Sequence, residues 1–530
     1  MKNKIKSRSS FLRFLTSLIF VALFCIFSGT SHLTAADNRK DLVVAVNSLP
    51  GSLESIEEMG NVDVRVTYTV FDSLIRRDFL ADGSGKASKL VPGLAKSWER
   101  LDDRTIEIRL REGVKFHNGD ELTSDDVVFS LNPGRGFGYN PAIGAAKRFM
   151  ATLSHVEPID KYRVRIISKK PDAMLEQRLA GYAHWIVNAR EYILTGTKNF
   201  ARKPVGTGPY KIAKWVDGEY LKLEAFDDYY GEKPTVKSIT YKVVPEVSAR
   251  IAGLVSGEYD IAVNIPPDQI PVIEKYDDLK TEQIVLDNTH MLVFFPIGPL
   301  KDKRVRQALS LSIDRSLLRK ALWNDKNYTP NGHQLPSYVI HIQDYPEFEY
   351  NPDKAKELLK ESDYKGEQII YRLPLNYYLN SLEAAQAMQQ MWKSVGLNVK
   401  LEPVENWTQV RADGVHMRPW SNTHRIPDPI GSFVPQWGAL SGIQINKKRP
   451  ERSWKAPEEF NRQQAIIVSS TDQKERQDAY RKALDIWIDE APGTMLYNPL
   501  ETYAMRKSIN WKPYGLYYMD FRPYNLKVTD

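Results

Sequence analysis

Aromatic rings are the most plentiful binding chemistry in this 530-residue sequence, which holds 27 Tyr, 11 Trp and 19 Phe. Core packing accounts for most of them. Tyr377-Tyr378, Trp407, Trp420 and Trp437 instead stand in polar, loop-like stretches. Flat apolar walls with a few placed hydrogen-bond donors are what a cleft needs to grip a small polar solute. Covalent chemistry has less to build on. There is no Gly-x-Ser-x-Gly elbow and no His-Glu-x-x-His zinc pair. Gly134-Arg135-Gly136-Phe137-Gly138 lacks dinucleotide-loop spacing and reads as a plain loop, and Gly85-Lys86 lacks the upstream glycine of a phosphate loop. The nine histidines are scattered, and a lone histidine is more often surface or hydrogen-bonded core than ligand. Asp102-Asp103 and Asp125-Asp126 read as a turn and a helix cap. No nucleophile, base and orienter assemble, so no catalytic residue, metal ligand or cofactor is assigned.

The N-terminus reads as an export signal. Lys2, Lys4, Lys6, Arg8 and Arg13 precede an uncharged, mostly apolar run over residues 14–27, and Thr34-Ala35-Ala36 follows. The run is short for a bilayer span, so a signal peptide over residues 1–36, cleaved after Ala36, is expected in preference to an uncleaved anchor. Cleavage lowers the formal charge from +7 to +2, which argues against nucleic-acid binding. It also removes Cys25, the sole cysteine. Phe24 precedes that cysteine where a lipoprotein has a small residue. No later segment approaches ~18 consecutive apolar residues. A soluble, cysteine-free periplasmic chain is expected. At 42% hydrophobic and 26% charged the composition is globular, and the length calls for two or more lobes.

The elements that must position the aromatics are well signalled. Leu42-Val43-Val44-Ala45-Val46 reads as a buried strand of a mostly parallel sheet. Thr105-Ile106-Glu107-Ile108-Arg109-Leu110 alternates as a half-buried strand, followed by turns at Arg111-Glu112-Gly113 and Asn118-Gly119. Thr123 and Asp126 form a capping box ahead of Val127, Val128 and Leu131. A helix is expected over residues 302–315, with Val305, Ala308, Leu309 and Ser312 on one face. Another is expected from Asn351-Pro352, with Ala355, Leu358 and Leu359 as its stripe, and a third over 382–395 before Gly396. Strands at 368–373 and 397–401 flank that third helix, giving a parallel pair. Residues 132–148 are the most loop-like stretch. Without a Ser/Gly linker, the lobes should be hinged on short crossing strands.

Four segments, in this order, resemble the family-5 extracellular solute-binding proteins, the dipeptide, oligopeptide and nickel receptors of ABC importers. They are Val91-Pro92-Gly93-Leu94-Ala95-Lys96-Ser97-Trp98, running on to Phe116-His117-Asn118-Gly119 and Leu122-Thr123-Ser124-Asp125-Asp126-Val127; Gly206-Thr207-Gly208-Pro209-Tyr210; Val305-Arg306-Gln307-Ala308-Leu309 with Ile313-Asp314-Arg315; and Tyr350-Asn351-Pro352-Asp353-Lys354-Ala355 with Leu358-Leu359. The resemblance implies an α/β, two-lobed periplasmic-binding-protein fold of type II with an extra subdomain and a ligand cleft between the lobes. Lobe I would comprise 37–80, 204–290 and 497–530, with an inserted subdomain at 81–203, and lobe II would be 291–496. The implied partners are a small-molecule or peptide ligand and an inner-membrane ABC permease, with the receptor a monomer.

Peptide-binding members carry a Trp-x-x-Asp stretch whose aspartate takes the peptide amine. Here Thr423 stands where that aspartate would be, and a neutral hydroxyl cannot pair a buried ammonium. The nearest arginine for a ligand carboxylate is Arg372. Asn376, Tyr377, Tyr378, Trp420, Asn422, Thr423, His424, Arg425 and Trp437 are the expected ligand-binding residues. Their make-up resembles members that take opines or sugar-containing solutes, so that ligand class stands beside peptide. An exported hydrolase, or nickel or haem capture through His416 or His424, are the competing readings.

Overall fold

The computed structural model describes residues 37–54, 56, 60–131, 149–150, 152–375 and 377–529. The leader, the loop-like stretch 132–148 with its glycines, and Asn376 lie outside the described residues. Met1–Arg39 stands as a unit of its own, in which Arg39 pairs with Asp37 at 2.8 Å. The rest of the chain, Lys40–Asp530, is one unit built on two main sheets.

The first main sheet has seven strands, in the order Leu279–Val285, Leu500–Arg506, Ile261–Ala262, Asp41–Val46, Ser238–Val243, Tyr220–Ala225 and Tyr210–Val216. Asp41–Val46 is flanked on both sides by parallel partners, which is why its sequence is a continuous apolar run. The sheet around it is not mostly parallel. Its four other pairings are antiparallel. One is a hairpin, in which Tyr210–Val216 and Tyr220–Ala225 are joined by a tight turn through Asp217-Gly218 with Gly218 at φ +72°, and two are made by Leu500–Arg506. A single buried strand reports its own neighbours and not those further along the sheet.

The second sheet has five strands, in the order Val399–Val404, Ile369–Pro374, Met417–Thr423, Asn288–Phe294 and Gly493–Tyr497. Ile369–Pro374 and Val399–Val404 pair parallel across the helix Ser381–Ser394, as the spacing predicts. Ala384, Met388 and Trp392 of that helix are buried against the sheet. A separate antiparallel sheet of four strands, from Ala95–Asp102 to Arg163–Ser168, contains the predicted strand Thr105–Leu110.

Caps set several helix starts. The Asn351 side chain accepts from the Lys354 N–H at the head of Pro352–Glu361. Asp126 accepts from both the N–H and the hydroxyl of Thr123, so Asp126 supplies the cap at that helix. The helix expected over 302–315 is Lys303–Leu311, with Val305, Ala308 and Leu309 buried as expected; it ends four residues early, and a second helix, Arg315–Trp323, follows. Asp314 caps the second by accepting from the Leu317 N–H, and an internal cap of this kind ends one apolar stripe and begins another.

The motifs that carry the resemblance interlock as scaffold. His117 donates from Nε2 to the Gly208 carbonyl at 3.0 Å, and its Nδ1 accepts from the Gly206 N–H at 3.3 Å. Thr207 donates to Asp72, which pairs with the buried Arg522 at 2.6 Å. A Cβ on Gly208 would sit 2.4 Å from the Thr69 carbonyl oxygen, and one on Gly206 2.3 Å from that of Val70. Only glycine allows this backbone approach. Gly208→Ala should therefore destabilise the fold by about 1–3 kcal/mol. Urea denaturation measures it; an unchanged midpoint would show that the backbone yields without strain.

Candidate functional site

In each lobe three parallel strands end at the same crevice, the usual place for a ligand in an open α/β sheet. In the first lobe, Asn47 follows Asp41–Val46, Pro245 follows Ser238–Val243 and Asn264 follows Ile261–Ala262. In the second, Tyr377 and Tyr378 follow Ile369–Pro374, Trp407 follows Val399–Val404, and Met417–Thr423 delivers Trp420 to Thr423 directly. Together they enclose a cleft of about 1100 Å³.

The second-lobe wall is aromatic. Tyr377 meets Trp407 edge-on at 4.7 Å and Tyr378 at 4.8 Å, and Trp407 lies 6.0 Å from Trp420. The Ser421 N–H donates to the Tyr377 hydroxyl at 3.1 Å, fixing that ring to the strand. Arg418 lies 4.3 Å over Trp420. Tyr378 stacks on His290 at 3.6 Å. His290 is 1% exposed, and neither ring nitrogen has a hydrogen-bond partner. Burial lowers its pKa to about 3, so the imidazole is neutral.

The first-lobe wall is charged and amide-rich. Arg65, Arg250, Asn264 and Glu501 line it. At the rim the lobes touch. Thr423 donates to the Asn61 side-chain oxygen at 2.9 Å, Arg425 reaches the same oxygen at 3.4 Å, and Asn61 donates to Ser421 at 3.4 Å. Arg425 also lies 4.3 Å over the Tyr182 ring.

Of the residues expected to bind ligand, Tyr377, Tyr378, Trp420, Asn422, Thr423 and Arg425 line the cleft. His424 and Trp437 do not. Neighbouring side chains of an extended segment face opposite ways, and His424 turns into the lobe, where Thr289, Tyr338 and Ser432 bond it at 2.9, 2.6 and 3.0 Å. Trp437 is fully buried against Trp487 and donates to His333 at 3.2 Å. Arg372 is committed to Glu402 at 2.7 Å and to loop carbonyls. His416 lies off the cleft, accepting from the Ile370 N–H. Among the described residues no group of three or more His, Cys, Asp or Glu could hold a metal. Reading the sequence missed Asn61, Arg65, Arg250, Asn264, His290 and Glu501. A charge within an apolar helix, as in Val64-Arg65-Val66 and at Arg250 of Val247–Ser256, was a usable signal; the others carried none.

Comparison with known proteins agrees with this geometry. Residues 89–442 match the family model of bacterial extracellular solute-binding proteins, family 5 Middle. The oligopeptide-binding protein AppA of Bacillus subtilis is 28% identical over 96% of this chain and 97% of its own length. The glutathione-binding protein GsiB of Pectobacterium atrosepticum is 28% identical over 93% and 94%. Among solved structures, the periplasmic binding protein DppA of Helicobacter pylori in complex with peptide STSA superposes with a TM-score of 0.80 at 21% identity, covering 93% of this chain and 99% of that one. AgaA of A. tumefaciens R10, in complex with agropinic acid, superposes with a TM-score of 0.78 at 22% identity over 92% and 99%.

The buried histidines tie stability to pH. Desolvation lowers His290 and His424 to about 3, and His117 and His184 to about 4. The unfolded chain takes up protons on these rings as pH falls through ~6.5, whereas the folded chain does not until ~3–4. Their contribution is therefore complete above pH ~6.5 and is lost on acidification, at up to ~1.4 kcal/mol per pH unit for each ring. Denaturant titrations at pH 7 and pH 5 should show the lower stability at pH 5; equal or greater stability there would mean the rings are charged in the fold.

Proposed function

The chain belongs to the bacterial extracellular solute-binding proteins of family 5, and on that premise we propose that its interlobe cleft captures a peptide or peptide-like solute for an inner-membrane ABC permease. The observation that carries the reading is the cleft itself, on which six parallel strand ends, three from each lobe, converge. Its volume of about 1100 Å³ lies just above the ~300–1000 Å³ of pockets for drug-sized ligands, which suits a solute of a few residues. The family and the relatives are binding proteins rather than enzymes. Among the described residues no helix is long and apolar enough to cross a membrane, and the leader cleaved after Ala36 would deliver the chain to the periplasm. The permease reads the closed form, so occupancy of the cleft governs docking.

In this reading Tyr377, Tyr378 and Trp420 stack on the solute, and Asn422, Thr423 and Arg425 serve its polar groups, with Asn376 from the adjoining segment. The lobe division proposed is 37–80, 204–290 and 497–530 for the first lobe, 81–203 for its inserted subdomain and 291–496 for the second lobe; the short crossover Leu286-Asp287 between the two main sheets lies close to the first of these boundaries.

One observation favours a second ligand class. Thr423 is held by the Asn288 amide at 2.7 Å and the Asn61 oxygen at 2.9 Å, a neutral hydrogen-bond set with no carboxylate for a peptide ammonium. An opine or oligosaccharide-type solute is served by such a set, and agropinic acid occupies the structurally similar AgaA.

A thermal-shift panel of di- and tripeptides, opines and oligosaccharides separates the classes, since a solute at 100 Kd adds ~2.7 kcal/mol of stability. Stabilisation by peptides alone sinks the opine reading, and no stabilisation from any class sinks the receptor reading. Trp420→Ala should weaken binding of the stabilising compound by roughly tenfold or more while moving the melting temperature by only a few degrees. Unchanged affinity removes Trp420 from the site.

A further inference from the structure

We propose that the first-lobe wall carries an acid-binding subsite in which Arg65 and Arg250 take a carboxylate or phosphate group of the captured solute. The proposal rests on the solute-capture reading and names a chemical feature of that solute.

Both guanidiniums line the cleft and are nearly buried, at 4% and 2% exposure. Each has five N–H donors and cannot shed its charge. Arg65 donates to the side-chain oxygens of Asn47 at 3.0 Å and Asn264 at 2.7 Å. Arg250 donates to the carbonyls of Val244, Pro245 and Asn264 at 2.7, 2.8 and 3.2 Å. Every acceptor is neutral, and the Nε of each arginine is buried without a partner. Arg315 shows how this fold satisfies a buried arginine that has only scaffold duty: its Nε, Nη1 and Nη2 all donate to carbonyl or hydroxyl oxygens. Arg522 shows the other solution, with Asp72 and Asp520 at 2.6 and 2.8 Å. Arg65 and Arg250 have neither.

Glu501 is the buried carboxylate of this wall, and it is occupied by Asn264, whose backbone N–H and side-chain amide reach it at 3.0 and 2.9 Å. Glu501 acts on both guanidiniums through space and Glu246 on Arg250, but among the described residues neither arginine makes a direct ion pair. Asn264 binds all three groups and takes φ +54°. Asparagine adopts that region readily, and here it lets one residue offer its N–H, its amide and its carbonyl to three charged groups. Asn264 thus stands between the two guanidiniums and Glu501, bonded to each. Arg425 adds a further cation from the second lobe. An incoming acid group would meet charge-assisted donors in a partly desolvated site, where a planar guanidinium fork is at its most selective.

The test uses the full mature chain, stripped by unfolding and refolding. Di- and tripeptides are titrated as free acids and as C-terminal amides, and inorganic phosphate and succinate are compared with chloride at equal ionic strength. Wild type should prefer acid over amide by roughly 10- to 100-fold, and phosphate or succinate should raise the melting temperature beyond chloride. In Arg65→Gln and Arg250→Gln the preference should shrink to within about threefold. The ratio is taken within each variant, so lost stability does not mask it, and Arg65→Lys should retain part of it. Equal binding of acids and amides, with no anion effect beyond chloride, overturns the subsite and leaves solute capture standing. Arginine-dependent anion stabilisation without any peptide, opine or oligosaccharide binding supports the subsite and sinks capture as proposed. Absence of all binding overturns both.

Discussion

Two short chain crossings hold the molecule's geometry together. Leu279–Val285 ends in the first sheet, and Asn288–Phe294 begins in the second after only Leu286-Asp287; Gly493–Tyr497 returns to Leu500–Arg506 through Asn498-Pro499. The crossings are tied to each other. The Leu286 N–H donates to the Pro499 carbonyl at 3.0 Å, and the Asn498 amide donates to the Leu286 carbonyl at 3.2 Å. Asp287 is anchored by the Gly515 carbonyl on its N–H and by Lys86 and Arg77 at 3.1 and 3.4 Å. Two-residue connections permit a change of angle between the sheets and forbid separation. The six parallel strand ends therefore face the same crevice whatever that angle is.

Sequence patterns showed local structure well and long-range arrangement poorly, for a physical reason. The alternation of Thr105–Leu110, the stripe of Ser381–Ser394 and the Asn351 cap depend on residues a few places apart, and all stand as read. Crossing strands without a flexible linker were also foreseeable, because no Ser/Gly tract separates the lobes. The antiparallel character of the first sheet was not, since half of its antiparallel pairings bring the distant Leu500–Arg506 against Ile261–Ala262 and Leu279–Val285. The break at Asp314 was hidden because apolar spacing continues across it.

The site divides the same way. Tyr377, Tyr378 and Trp420 stood out as large rings in polar surroundings. His424 and Trp437 looked equivalent in sequence yet face the core: His424 because a one-residue step in an extended segment reverses direction, Trp437 because it ends the short helix Phe433–Trp437 on its buried side. The first-lobe wall was almost invisible. Its residues come from positions 65, 250, 264 and 501, and its organising feature is a backbone angle at Asn264. The motifs that identify the family are engaged elsewhere, packing glycines against the Thr69-Val70 backbone and tying His117 to Gly206 and Gly208. They specify a scaffold, so they are silent about the solute.

Asn61 has a consequence for sensitivity. Its bonds to Thr423, Ser421 and Arg425 join the two lobes through protein atoms alone. At ~1 kcal/mol net for each bond, three would tilt the balance between open and shut lobes by roughly a hundredfold. A receptor biased this way loses little binding energy to closing and can respond to scarce solute. One asparagine at a helix start thus lowers the cost of closure for any solute.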